Sequence, residues 1–172
     1  MTICPYCGGE NIEGVDECEE CGQSLADLHL EGPLLQVEQH LLTDRIGLLE
    51  PKTPITVASD TPIGDVLRLM VDKSVGCLIV VEDENPVGIF SERDALLKLN
   101  VDASQLSDRP VSEYMTANPQ TLEVTAKIAF AVQRMDLGGY RHVPIVGEDG
   151  QLTGIVSVRD ILRYVTEKMT TA

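Results

Sequence analysis

Gly88-Ile89-Phe90-Ser91-Glu92-Arg93-Asp94 and Gly154-Ile155-Val156-Ser157-Val158-Arg159-Asp160 are two versions of one string, sixty-six positions apart, with Gly, Ile, Ser, Arg and Asp in matching places. A repeat inside so short a chain fixes the architecture before anything else is read. In each copy an apolar run precedes the Gly and a helical pattern follows the Asp. Ser therefore falls at a strand-to-helix junction, and function is expected where two such junctions meet.

The repetition runs well upstream. With the offset reduced by one, Ile46, Pro54, Thr56, Ile63, Met70 and Val81 match Val111, Pro119, Thr121, Ile128, Met135 and Val146. The missing residue lies in a hairpin, Glu82-Asp83-Glu84-Asn85-Pro86 against Gly147-Glu148-Asp149-Gly150-Gln151, where polar turns tolerate insertion. Within a unit the pattern predicts an extended piece at Ile55 to Val57 and a helix from Thr61 to Asp72, with Asp60 and Thr61 as start signals. Strands follow at Cys77 to Val81 and Val87 to Phe90, then a second helix from Glu92 to Leu99. The order is β-α-β-β-α, used twice.

This order, with its Gly-apolar-x-Ser-x-x-Asp ending and the run Arg141-His142-Val143-Pro144-Ile145-Val146, resembles the CBS domain. The tandem pair from about Ile46 to Tyr164 resembles a Bateman module and covers roughly two thirds of the chain. The expected fold is α+β, with two CBS repeats related by pseudo-two-fold symmetry behind a small N-terminal zinc ribbon. The expected organisation is 1-25 zinc ribbon, 26-50 helical connector, 51-105 repeat 1 and 106-172 repeat 2.

The ribbon rests on Cys4-Pro5-Tyr6-Cys7-Gly8 and Cys18-Glu19-Glu20-Cys21-Gly22, a C-x2-C-x10-C-x2-C array. Four thiolates in two close pairs can close a tetrahedron around zinc, and the Gly after each pair suits a tight turn. Disulfides, a redox C-x-x-C and a rubredoxin-like iron site compete with it. A reducing compartment, the missing thioredoxin pattern and the scarcity of aromatics disfavour these in turn, and iron is the runner-up. An all-Cys set leaves no open coordination position, so Cys4, Cys7, Cys18 and Cys21 read as a structural site. Cys77, in an apolar strand, reads as a buried unpaired thiol.

Leu34, Val37, Leu41, Leu42, Ile46 and Leu49 lie at near-helical spacing. Such a stripe predicts a helix docked on the repeats or across a dimer. His29 and His40 read as surface or cap residues.

Ser91-x-x-Asp94 and Ser157-x-x-Asp160 fit a helix capping box on their own. That reading does not account for the recurring Gly and Arg. The resemblance implies an adenine nucleotide in the cleft between repeats, with the motif Asp on ribose hydroxyls and the Ser with its helix start on phosphate. These are Ser91 and Asp94 for one site, Ser157 and Asp160 for the other. It also implies adenine contacts from Thr53 and Ile55 and from their counterparts Asn118 and Gln120, residues that could equally be Pro-led edge strands. Phosphate needs cations, and Arg141 and His142 are the first candidates, with Arg93 and Arg159 behind them. His142 also fits a packed strand residue. Arg141-His142 faces Gly76-Cys77 in the first copy, which implies one strong site and one weak or empty one.

Composition narrows the classes. The chain has 172 residues, 43% of them hydrophobic, and a net charge of −15. Residues 1 to 50 hold eleven acids against Arg45 alone, a sum of −10, which opposes the basic footprint of nucleic-acid binding. No apolar stretch reaches the ~18 residues of a membrane span, so a cytoplasmic protein away from membranes is expected. Neither a P-loop nor a Ser nucleophile with its His base is present in the pattern. The reading is a regulatory, non-catalytic sensor of AMP, ADP or ATP, homodimeric through the repeats, relaying its state to a client protein. Its alternatives are a structural dimerising adaptor without ligand, a sensor of another adenosyl compound such as S-adenosylmethionine, and a nucleic-acid-linked regulator.

Overall fold

The computed structural model describes residues 2–4, 6–12, 15–25, 36–99 and 104–170. His29, Leu34 and most of the expected connector before Gln36 lie outside the described residues. At the N-terminus β1 (Thr2–Ile3) pairs antiparallel with β2 (Glu10–Asn11). Helix α1 (Gln36–Thr43) and a 3-10 turn (Ile46–Leu49) follow.

The first repeat contains β3 (Thr56–Ala58), α2 (Ile63–Lys73), β4 (Cys77–Glu82), β5 (Asn85–Ser91) and α3 (Glu92–Asp94). Helix α3 widens at once into a π-helical stretch (Ala95–Leu99) where a regular helix was expected. The second repeat begins with β6 (Thr116–Ala117) and β7 (Leu122–Glu123). It continues with α4 (Ile128–Gly138), β8 (His142–Val146), β9 (Leu152–Ser157) and α5 (Val158–Thr170). The sheets run β3-β4-β5-β6 and β7-β8-β9, parallel at β3/β4 and β7/β8 and antiparallel elsewhere.

Each repeat is completed by the segment leading into the other. The amides of Ile63 and Gly64, at the start of α2, donate to the carbonyls of Arg109 and Ser107 at 2.8 Å. At the matching place Ile128 donates to the Asp44 carbonyl at 3.0 Å. Val111 bonds the Thr61 carbonyl as Ile46 bonds that of Ala126. This exchange corrects the expected helix start: α2 begins at Ile63 behind Pro62 with no side-chain cap, because the linker supplies acceptors that Asp60 or Thr61 would otherwise provide. The first extended piece likewise starts at Thr56 rather than Ile55.

Two cores result. One holds Ile63, Val66, Met70, Leu78, Val80, Phe90, Leu99 and Val111. The other includes Leu122, Ile128, Phe130, Val143, Ile145 and Val156, and it takes Ile46 and Leu49 from the connector. The apolar stripe before the repeats thus docks on the second repeat, as its spacing allows. The Tyr164 hydroxyl donates to Asp44 at 2.5 Å, pinning α5 to the end of α1. The N-terminal cysteine module sits on the same repeat through an edge-on contact of Tyr6 with Phe130, 5.5 Å between ring centroids. Among the described residues no helix is long and apolar enough to cross a membrane.

Candidate functional site

The cysteine site forms because two tight turns face each other. Gly8 and Gly22 take positive φ (80° and 67°) and donate back to the carbonyls of Cys4 and Cys18 at 2.9 and 2.8 Å, folding each Cys pair inward. The Sγ atoms of Cys4 and Cys21 are 3.7 Å apart and those of Cys7 and Cys18 3.6 Å, with all four within 4.8 Å of one another. Sulfurs ~2.3 Å from a central tetrahedral ion would stand about 3.8 Å apart, so the four residues fit a metal as they stand. The Gly9 amide and the Asn11 side chain point at Cys7 and Cys18 sulfur at 3.4 and 3.5 Å. Burial opposes ionisation of Cys18, but the Cys21 and Glu20 amides and Asn11 overcome it and bring the thiol down to about 6. Cys77 behaves oppositely: buried in β4, with Glu92 nearby, its thiol is pushed up to about 12 and stays protonated.

The repeated string ends each hairpin in a Ser-Asp cap, complete as a capping box in the first copy. Ser91 caps α3, its Oγ accepting from the Asp94 amide at 3.4 Å while the Asp94 carboxylate accepts from the Ser91 amide at 3.0 Å. In the second copy the Asp160 carboxylate accepts from the Ser157 amide at 2.8 Å and from its hydroxyl at 2.5 Å. Both aspartates are buried, and each bears a lysine that the string did not reveal: Lys98 on Asp94 and Lys52 on Asp160, both at 2.8 Å. Burial alone would raise both carboxyls; Lys98 with Ser91, and Lys52 with Ser157, outweigh it and hold them below the usual value.

A carboxyl depressed in this way contributes stability above its unfolded pKa of about 3.9, and the contribution is lost as pH falls through the lower folded value. Urea midpoints are expected to stay level from neutrality to about pH 5 and to drop below about pH 4. A midpoint unchanged at pH 2 would contradict these pairs.

Two clefts adjoin the motifs. The larger, about 1130 Å³, brings Lys52, Thr53 and Ile55 opposite Ser157, Arg159 and Asp160, with Arg141 and His142 at one side and Leu67, Ile79 and Ile155 among its apolar walls. Lys52 reaches it because its amide and carbonyl pair with Ile155 at 3.0 and 2.9 Å, adding the leader to the edge of β9. The smaller, about 270 Å³, contains Ser91, Arg93, Asp94 and Thr116, again with Arg141 and His142. Asn118 and Gln120 are exposed and line neither cleft. Burial lowers the pKa of His142 despite Glu92 and Asp160 nearby, so at neutral pH it offers hydrogen bonds rather than charge. The residues that sequence reasoning missed are Lys52, Lys98 and Thr116.

Such a cleft can hold a flat apolar ring, offer a buried carboxylate to vicinal hydroxyls and offer guanidinium groups to an anion. The family profile described as CBS domain matches residues 50–100 and 111–167. A 17.7 kDa protein of Acidianus ambivalens is 31% identical over 112 residues, 64% of this chain and 66% of its own length. The mitochondrial CBS domain-containing protein CBSX3 of Arabidopsis thaliana is 31% identical over 115 residues, 64% of this chain and 55% of its own. The matched stretch thus spans under two thirds of these relatives. A CBS domain protein of Pyrobaculum aerophilum, solved in complex with AMP, superimposes with a TM-score of 0.64 at 27% identity, covering 75% of this chain and all of that one.

Proposed function

The chain belongs to the CBS-domain family, and from that premise we propose that it is a regulatory, non-catalytic sensor of adenine nucleotides whose cysteine module holds structural zinc. One observation carries the reading: a cleft of about 1130 Å³ in which the leader Lys52 to Ile55 faces Ser157 to Asp160 across apolar walls, with Arg141 and Arg159 at hand. The apolar walls suit a purine, Asp160 suits ribose hydroxyls, and the guanidinium groups suit phosphate. The AMP bound by the Pyrobaculum protein supports the same ligand class. Four cysteines without an open position support a structural rather than a catalytic metal, and the sulfur spacings support zinc.

The ligand acts by favouring one arrangement of the repeats over another, since equal affinity for both would shift nothing. Because the leader that edges the cleft continues back into α1, and because Tyr6 packs the cysteine module on α4, a change at the cleft has a route through packed elements to a client-binding ribbon. The exposed Val71, Leu96, Leu97, Leu137 and Leu162 support pairing of two chains through the repeat helices.

Calorimetric titration of the zinc-loaded chain with AMP, ADP and ATP is expected to give saturable binding below millimolar. Ligand at 100 times its Kd should add about 2.7 kcal/mol of stability and raise Tm accordingly. Silence with all three nucleotides at millimolar concentration would overturn the reading, and binding of S-adenosylmethionine in their place would redirect it to another adenosyl ligand.

A further inference from the structure

We infer that each chain takes one nucleotide, in the cleft at Asp160, and that the motif at Asp94 is filled by the chain's own Lys98 and Thr116. This rests on the nucleotide reading above. A carboxylate offers about four lone-pair positions. At Asp94 all are taken: Oδ2 accepts from the Ser91 amide and hydroxyl at 3.0 and 2.6 Å, and Oδ1 from Lys98 Nζ at 2.8 Å and Thr116 Oγ1 at 3.1 Å. Lys98 is itself locked, for its ammonium also donates to the carbonyls of Tyr114 and Met115 at 2.8 and 3.1 Å. A ribose arriving at Asp94 would have to break an ammonium out of three bonds.

Asp160 is differently placed. Its Oδ2 is held by Ser157, but Oδ1 carries Lys52 alone at hydrogen-bond distance, with the Arg163 guanidinium at 3.7 Å. The Lys52 side chain is 60% exposed, against 38% for Lys98, and among the described residues its ammonium bonds nothing but Asp160. It can swing from the carboxylate toward a phosphate at little cost.

The asymmetry is written in the repeat itself. Tyr164 stands where the first copy has Lys98, and it turns away to Asp44; Pro51 stands where the second leader has Thr116. Space and charge agree. The Asp94 cleft, about 270 Å³, falls below the usual ~300–1,000 Å³ of ligand pockets, while the other exceeds it. Arg141 lines both clefts while its counterpart Gly76 supplies no cation, so the two clefts share that guanidinium beside their own Arg93 and Arg159.

Native mass spectrometry and calorimetry of the full zinc-loaded chain with AMP provide the test. One AMP per chain is expected, and Asp160→Asn should weaken total AMP binding at least tenfold, leaving no second tight site. Two AMP per chain, or tight binding that survives Asp160→Asn, would overturn the inference while leaving the nucleotide reading intact. No AMP on the unmodified chain would overturn both. Should Asp160→Asn fail to fold, Asp94→Asn decides the place: one AMP per chain at unchanged affinity is expected, and loss of that binding would overturn the inference.

Discussion

Stripping the metal with a strong chelator is expected to unfold residues 2–25 while the repeats stay folded. Among its described residues the apolar core of the cysteine module is Cys4, Cys18 and Leu25, with Tyr6 and Val15 partly covered, around a hairpin of two-residue strands. So small a core cannot offset the entropy of ordering its chain. Metal ligation by four thiolates, of the order of 10–16 kcal/mol in small zinc peptides, supplies the difference. The repeats have two cores of their own, so loss of the Tyr6 contact with Phe130 should cost them about 1 kcal/mol, read as a small drop in Tm. Amide resonances give the clearest readout. Those of the module should collapse to random-coil positions on chelation and return with zinc; dispersion that persists without metal would show that the module folds by packing alone.

Gly154→Val should cost about 3 kcal/mol and weaken nucleotide binding, although the residue touches no proposed ligand position. A Cβ there would lie 2.7 Å from Cβ of Pro51, and a proline ring has no rotamer by which to yield. Overpacking of this kind costs ~1–3 kcal/mol. Pushing Pro51 away also breaks the paired bonds between Lys52 and Ile155, each worth ~1 kcal/mol, and takes Lys52 from Asp160. Gly88→Val makes the instructive comparison. The added Cβ collides with the Met115 thioether, but that flexible side chain can turn aside, so a smaller loss is expected. Urea titrations of the two variants measure the contrast; equal costs would mean that the leader yields as easily as a methionine.

These glycines also mark how far the sequence could be read. The recurrence of Gly ahead of the Ser was visible, and a helix cap did not explain it. Its reason, the other repeat's leader lying against the strand, is a tertiary contact, 27 positions from Gly88 to Met115 and 103 from Gly154 to Pro51. The β-α-β-β-α order, the metal-ready cysteines and the capping geometry were legible because each follows from local spacing. Lys98 stood at i+4 from Asp94, where an ion pair could have been suspected. Lys52 had no such signal, since only the exchanged leader brings it to Asp160. Arg141 and His142 were noticed for their charge, yet burial keeps His142 neutral, a property of packing rather than of residue type. Asn118 and Gln120 were matched to Thr53 and Ile55 by repeat register, but the second leader leaves them outside both clefts.

The exchange of leaders has a consequence for synthesis. Tyr164 meets Asp44 across 120 residues, and Arg163 reaches the Leu49 carbonyl across 114. The second core cannot close until Ile46 and Leu49, made early, are joined by strands made last, and α2 waits for Ser107 and Arg109 before its first amides are satisfied. Contacts so distant along the chain slow folding and leave apolar surface uncovered meanwhile. On the ribosome the first repeat is not a finished unit until residues 107–117 follow it, and the second, whose connector is made before the first repeat, is sealed only once α5 has emerged.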